Sequence, residues 1–218
     1  MTIHKEVIQN LRQDYRAATL SEEDVAKDPI SQFSTWFSDA MSSEIHEPNI
    51  MTLATATADG IPSARIMLLK GFDNNGFVFF TNYLSRKGQE ITKNAKAALV
   101  FFWQDLERQI RIEGTLEKLD EKESETYFHS RPKASQIGAL ASPQSREIDN
   151  KQFLLNNIQM LEEKYKDVAE IPKPPHWGGY IVKPTLIEFW QGGHGRLHDR
   201  IVYKLKENQD WRITRLAP

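Results

Sequence analysis

Hydrophobic and polar positions change their period along this chain. Between residues 29 and 45, Phe33, Trp36, Phe37, Met41 and Ile45 recur at intervals of three and four, which places them on one side of a helix. Residues 3–15 show similar spacing, so a helical N-terminal segment of about residues 1–48 is expected. From Ile50 the runs shorten. IMTLATATA (50–58), ARIMLLK (64–70), FVFFTN (77–82), AALVFFW (97–103) and RQIRIEGTLEKL (108–119) read as strands. Asp59 and Gly60 mark one turn, and Asp73 to Gly76 mark a hairpin.

A helical middle follows. Asp120, with Glu123 three residues on, has the spacing of a capping box, and Pro132 ends or bends the helix it opens. KASQIGALAS (133–142) reads as a short second helix. Residues 150–168 read as an amphipathic one with Phe153, Leu154, Ile158, Leu161 and Tyr165 on one face. After the break IPKPPH, the strand patterns WGGYIVK, TLIEFWQ, RIVYKLK and DWRITRL return, with GGHG (192–195) and residues 207–209 as turns. Helices set between two groups of strands argue against an alternating α/β sheet. They favour an α+β, mainly antiparallel fold: a closed or partly closed β-barrel with flanking helices. No repeat or long linker interrupts it, so residues 1–218 are expected to form one domain.

Composition narrows the classes of function. Hydrophobic residues at 39% and charged residues at 27% give a globular balance. The net charge of -2 supplies no global field for nucleic acid or an anionic membrane, so any anion site must be local. The absence of cysteine excludes disulfides, thiolate nucleophiles and sulfur-based zinc sites. With no leader-like N-terminus and no run approaching ~20 apolar residues, a soluble, cytoplasmic protein is expected.

Phosphate-loop, dinucleotide-loop, zinc-protease and nucleophile-elbow motifs are missing. What remains are basic and hydroxyl residues at strand ends. Thr81, Ser85, Arg86 and Lys87 could converge on a phosphate monoester; a solvated charged turn opening a helix is the plainer reading. Arg65 and Lys70 sit in an otherwise apolar run. Their odd separation sends them to opposite faces of a regular strand, so either one is structural or the strand passes between two anions. Tyr127, Arg131 and Ser135 follow at steps of four and could form a second phosphate site, or a surface stripe with Arg131 paired to Glu123 or Glu125. In FWQGGHGRLHDR (189–200), Trp190 could stack on a flat ring, while Arg196, His198 and Arg200 alternate as on one face of a strand.

RIMLLK, FFTNYLSRK, ERQIRIEG, YFHSRPKASQIGA, FWQGGHGRLHDR and the terminal RLAP, in this order, resemble the pyridoxine (pyridoxamine) 5'-phosphate oxidase family from about Arg12 to Pro218. The resemblance implies an FMN-binding split β-barrel and a homodimer with FMN at the subunit interface. Arg65, Ile66, Met67, Leu68, Leu69, Lys70, Phe80, Thr81, Ser85, Arg86, Lys87 and Gln109 match flavin-side residues. Gln144, Ser145, Trp190 and Arg200 match flavin ligands that the family supplies from the partner subunit. Lys70, Tyr127, Arg131 and Ser135 match the residues holding the substrate phosphate, Arg196 and His198, flanking Leu197, match the pair over its pyridine ring, and Arg12 and Tyr15 match a segment that covers the site. On this likeness Arg65 and Lys70 serve two different phosphates. Phe80 in place of a tyrosine, Arg146 in place of a second serine, and the variable pair His194 and Gly195 depart from the commoner pattern.

The implied reaction oxidises C4' of pyridoxamine or pyridoxine 5'-phosphate to give pyridoxal 5'-phosphate, with dioxygen as acceptor and Arg196 and His198 as the catalytic pair. An FMN-dependent reductase on the same barrel would not need the second phosphate cluster. A non-catalytic pyridoxal phosphate carrier would leave the flavin-side residues idle. A nucleic-acid-binding barrel conflicts with the net charge.

Overall fold

The computed structural model describes Leu11 and residues 14–218. Arg12 and most of the helix expected over 3–15 lie outside the described residues; Leu11, Asp14 and Tyr15 carry no helix. The helix α1, Pro29–Ser42, starts where the Asp28 carboxylate accepts from the backbone N–H groups of Ile30 and Ser31, with Pro29 in the first turn. Strands β1 (Ile50–Ala56), β2 (Pro62–Leu68), β3 (Gly71–Asp73) and β4 (Gly76–Asn82) follow. Then come α2 (Arg86–Lys93), β5 (Lys96–Trp103) and β6 (Arg108–Lys118). The middle contains α3 (Glu121–Ser130), capped by Asp120 through the Glu123 N–H, α4 (Lys133–Ala141) and α5 (Lys151–Lys164). The chain closes with β7 (Trp177–Gln191), β8 (Asp199–Leu205) and β9 (Trp211–Arg215).

The strands form one hydrogen-bonded sheet in the order β2-β1-β5-β6-β7-β4-β3, with β8 joined to β7 and β9 to β8. The β1–β2, β3–β4, β4–β7, β7–β8 and β8–β9 pairings are antiparallel. The path runs from β2 to β3, and β8 and β9 branch from it at β7. The expected runs WGGYIVK and TLIEFWQ are one strand. Pro184 falls in the gap between the β4 register, which ends at Val182, and the β8 register, which begins at Leu186, where a ladder N–H is dispensable.

Backbone proximity divides the chain into two compact units. The first comprises residues 1–48, 100–112 and 185–218. Its core holds Phe33 against Phe101, Trp36 against Phe189, and Phe189 against Tyr203, with ring centroids 5.2–5.6 Å apart. The Tyr203 hydroxyl donates to the Ala26 carbonyl at 2.6 Å, and burial pushes its pKa up.

The second unit comprises residues 49–99 and 113–184. Met51, Leu53, Phe77, Phe79 and Leu99 are buried in it, and a further cluster gathers Phe128, Ile137, Ile171 and Trp177. Ile158 and Leu161 of α5 and Tyr165 at its C-cap pack on that cluster, while Phe153 is 41% exposed. The amphipathic face is therefore narrower than its pattern suggests. Gly88 is required within α2: a Cβ there would stand 2.2 Å from the Tyr83 carbonyl oxygen.

Candidate active site

In the second unit, β2, β4, α3 and α4 line an open pocket of about 620 Å³, a size suited to a nucleotide-like ligand. Ile66, Met67, Leu68, Lys70, Phe80, Thr81, Lys87, Tyr127, Arg131, Ser135 and Gln144 all line it. Residues up to 78 positions apart in sequence thus share one space; Gln144, which the resemblance gives to the partner subunit's flavin, lies here in the same wall as Lys87 of its own chain. Leu69, the next residue of that run, is buried in the core. Phe80 stacks on Tyr127 at 3.8 Å between centroids, and both lie nearly parallel to Trp177.

The charged residues in the walls are all cations: Lys70, Lys87 and Arg131. Lys87 is only 8% exposed, and its ammonium reaches two neutral acceptors, Thr81 Oγ1 and Gln144 Oε1, each at 3.3 Å. Burial first, then the Arg65 charge, hold it below the ordinary lysine pKa. Arg131 projects over the Trp177 ring at 4.6 Å and donates through one Nη to the Ser135 carbonyl. Its other Nη is buried without a hydrogen-bond partner, and burial lowers the guanidinium's pKa. The surface-stripe reading, with Arg131 paired to Glu123 or Glu125, is thereby displaced. A buried donor without a partner is costly, and an anion entering the cavity would satisfy it.

Arg65 donates to the Leu53 carbonyl at 3.3 Å and to the hydroxyls of Thr55 and Ser63 at 2.5 Å each, and lies 3.4 Å from Glu90. Ser85 is fully buried and caps α2, donating to the Asn82 carbonyl and accepting from the Gly88 N–H. Arg86 is largely exposed and pairs with Glu90 at 2.9 Å. Glu90 itself is 4% exposed. Burial pushes its pKa up, but hydrogen bonds from Ser63, Thr55 and Arg86 and the Arg65 charge prevail and leave it at about 2. Ser145 is exposed, with a left-handed φ of 68°.

The first unit holds a separate cavity of about 600 Å³ lined by Leu11, Asp14, Tyr15, Gly193, Gly195, Arg196 and His198. Trp190 and His198 lie 4.7 Å apart between centroids, with the Tyr15 ring edge-on to both. The Gly193 N–H donates to His198 Nδ1 at 3.1 Å, so the neutral ring carries its proton on Nε2. The expected alternation of Arg196, His198 and Arg200 along a strand is not observed. Residues 194–196 form a 3₁₀ turn in which Gly195 and Arg196 have φ of 62° and 66°, and β8 starts only at Asp199. Leu197 is 75% exposed. Gln109 is half-buried on β6. Arg200 grips Glu188 with Nε and Nη2 at 2.8 and 3.2 Å and gives Nη1 to the Ala217 carbonyl. Glu188, 3% exposed, also receives Arg111.

Glu90, Glu188, Thr55 and Ser63 escaped the motif reading. Two signals could have found some of them: Glu90 is four residues beyond Arg86, and Thr55 is opposite Ser63 in the β1–β2 register. Asp14 also emerges only in three dimensions, accepting from His194 Nδ1 at 2.7 Å and from the Gly195 N–H. Hydrogen bonds from Arg16, His194 and Gly195 lower its pKa to about 2.

Comparison with known proteins accords with this geometry. Residues 37–165 match the family described as pyridoxamine 5'-phosphate oxidase, and residues 177–218 match the pyridoxine 5'-phosphate oxidase C-terminal dimerisation region. A pyridoxine/pyridoxamine 5'-phosphate oxidase from Salinibacter ruber is 55% identical over 96% of this chain and 98% of its own. One from Acaryochloris marina is 54% identical over 97% and 95%. Among solved structures, PhzG from Burkholderia lata 383, in complex with tetrahydrophenazine-1-carboxylic acid, is 32% identical, with a TM-score of 0.86 over 92% of this chain and 98% of that one.

Proposed function

Since the chain belongs to the pyridoxine/pyridoxamine 5'-phosphate oxidase family, we propose that its site performs that family's chemistry. The protein is an FMN-dependent oxidoreductase that converts pyridoxamine and pyridoxine 5'-phosphates to pyridoxal 5'-phosphate. Dioxygen is the acceptor and leaves as hydrogen peroxide; the amine route also consumes water and releases ammonia. Two cationic groups carry the reading, both anchored in the cavity wall, with Arg65 adding its charge to one of them from outside the lining. The buried Arg131 Nη beside Lys70, Tyr127 and Ser135 suits one phosphate, and Lys87 with Arg65 suits another.

When bound, FMN supplies the acceptor for the hydride of C4'. On our reading Arg65, Ser85, Arg86 and Lys87 surround its phosphate, Ser85 chiefly by holding the turn. Ile66 to Lys70, Phe80, Thr81 and Gln109 lie along the flavin, together with Gln144, Ser145, Trp190 and Arg200. The last four come, on the family likeness, from the partner subunit; Gln144 also approaches Lys87 of its own chain. Arg131, Lys70, Tyr127 and Ser135 hold the substrate phosphate, Arg196 and His198, with Leu197 between them, fix the pyridine ring, and His198 Nε2 is the ring atom able to offer a proton. Tyr15, with Arg12, would cover the site.

The protein is a homodimer, since its C-terminal region matches the family's dimerisation region, and we place FMN at the interface. We read residues 1–218 as one functional domain, because β5, β6 and β7 each run through both compact units. No helix among the described residues is long and apolar enough to cross a membrane; a cytoplasmic location is our reading. The aromatic carboxylate bound by the similar PhzG carries no phosphate. Comparing turnover of pyridoxamine 5'-phosphate with that of pyridoxamine tests the assignment: a strong preference for the phosphate is expected, and equal turnover would remove the role given to Arg131.

A further inference from the structure

The buried carboxylate of Glu90 has no task in the reaction as described, yet it sits behind the residue assigned to the FMN phosphate. Its Oε2 accepts from the hydroxyls of Thr55 at 2.5 Å and Ser63 at 2.6 Å. Each hydroxyl has a single proton, and an ionised carboxylate can only accept. Both protons are therefore directed at Glu90, and the hydroxyl lone pairs are left facing Arg65, whose Nη1 and Nη2 donate to them at 2.5 Å. The direct contact between Arg65 and Glu90 is longer, at 3.4 Å. The carboxylate thus acts on the guanidinium mainly through the two hydroxyls, which face each other across the β1–β2 register. Glu90 Oε1 is held by Arg86 Nε at 2.9 Å, which fixes the carboxylate on α2.

We propose that Glu90 is a positioning residue: through the Thr55 and Ser63 hydroxyls it fixes the Arg65 guanidinium for the phosphate of FMN. The proposal rests on the reading that Arg65 serves that phosphate. A glutamine at position 90 would replace one acceptor oxygen by an NH₂ donor. That donor would face groups that already donate, the two hydroxyls on one side and Arg86 Nε on the other. The hydroxyls would then turn, and Arg65 would lose its fixed orientation. A residue that only stabilised the fold would lower stability without altering the choice between a flavin that carries a phosphate and one that does not.

The test is the ratio of dissociation constants for riboflavin and FMN, measured by flavin fluorescence on full-length protein stripped of flavin. Glu90→Gln is expected to reduce that ratio by about tenfold or more, the scale of one charge-assisted hydrogen bond, with riboflavin affinity unchanged. The double variant Thr55→Val/Ser63→Ala, which keeps the carboxylate but removes the relay, is expected to do the same and serves if Glu90→Gln does not fold. An unchanged or increased ratio in the folded variants overturns the positioning role while leaving the function intact. A wild-type protein that binds FMN no more tightly than riboflavin overturns the assignment of Arg65, and this proposal with it.

Discussion

Replacing Lys87 with methionine should separate binding from folding. The methionine retains a similar length of apolar stem and removes the charge. In the flavin-free protein the ammonium has only two neutral acceptors, each at 3.3 Å, at the long end of useful hydrogen bonds and together contributing about 1 kcal/mol. Against that gain stands an 8%-exposed charge with no ion pair among the described residues and with Arg65 nearby. Lys87→Met should therefore cost the flavin-free protein no more than about 1 kcal/mol in urea denaturation. FMN affinity should fall by about 10- to 150-fold, the equivalent of a charge-assisted contact of about 1.5–3 kcal/mol. The pH dependence has a definite sign. Because burial and Arg65 lower the folded-state pKa below 10.5, the unfolded chain holds the proton more tightly. The cost of the buried charge is fully present below the folded-state pKa and is relieved as pH rises toward 10.5, so the flavin-free wild type gains stability relative to the variant across that window. A variant destabilised by several kcal/mol with unchanged FMN affinity would refute this reasoning.

Other perturbations follow from the same geometry. Arg131→Met should raise KM for pyridoxamine 5'-phosphate at least about tenfold while leaving FMN content unchanged, measured by steady-state kinetics and flavin absorbance. The stability that Glu90 gains from its lowered pKa is present above the unfolded value near 4.5 and is lost as pH falls toward about 2, a contribution on the order of 3 kcal/mol, visible as convergence of wild type and Glu90→Gln in acid denaturation. Gly88→Ala should cost about 1–3 kcal/mol because its Cβ collides with the Tyr83 carbonyl, read as a fall in Tm. Asp14→Ala removes both acceptors, Oδ2 for His194 Nδ1 and Oδ1 for the Gly195 N–H, and should speed protease cleavage near Tyr15.

The sequence made α1, α3, α4, α5 and most strands legible because period and turn signals agree: the capping box at Asp120 opens α3, and the Asp73–Gly76 turn joins β3 to β4. Strand β7 was hidden by Pro184, whose tolerance depends on where two neighbouring registers end. Near the site, a charge in an apolar run marked Lys70 and four-residue spacing marked Arg131, and the family likeness assigned them to the substrate phosphate. The 3₁₀ turn at 194–196 was not legible, because alternating residue types mimic a strand when the backbone has positive φ. Glu90 and Glu188 were also missed. A buried carboxylate is informative through its partners, and those partners come from distant strands.

The most direct measurement is to purify the protein, record its visible absorbance, add pyridoxamine 5'-phosphate in air, and follow pyridoxal 5'-phosphate and hydrogen peroxide. A yellow protein that yields the two products in equal amounts is predicted. A colourless protein that takes up no added FMN, or a yellow one that forms no peroxide, would contradict the account.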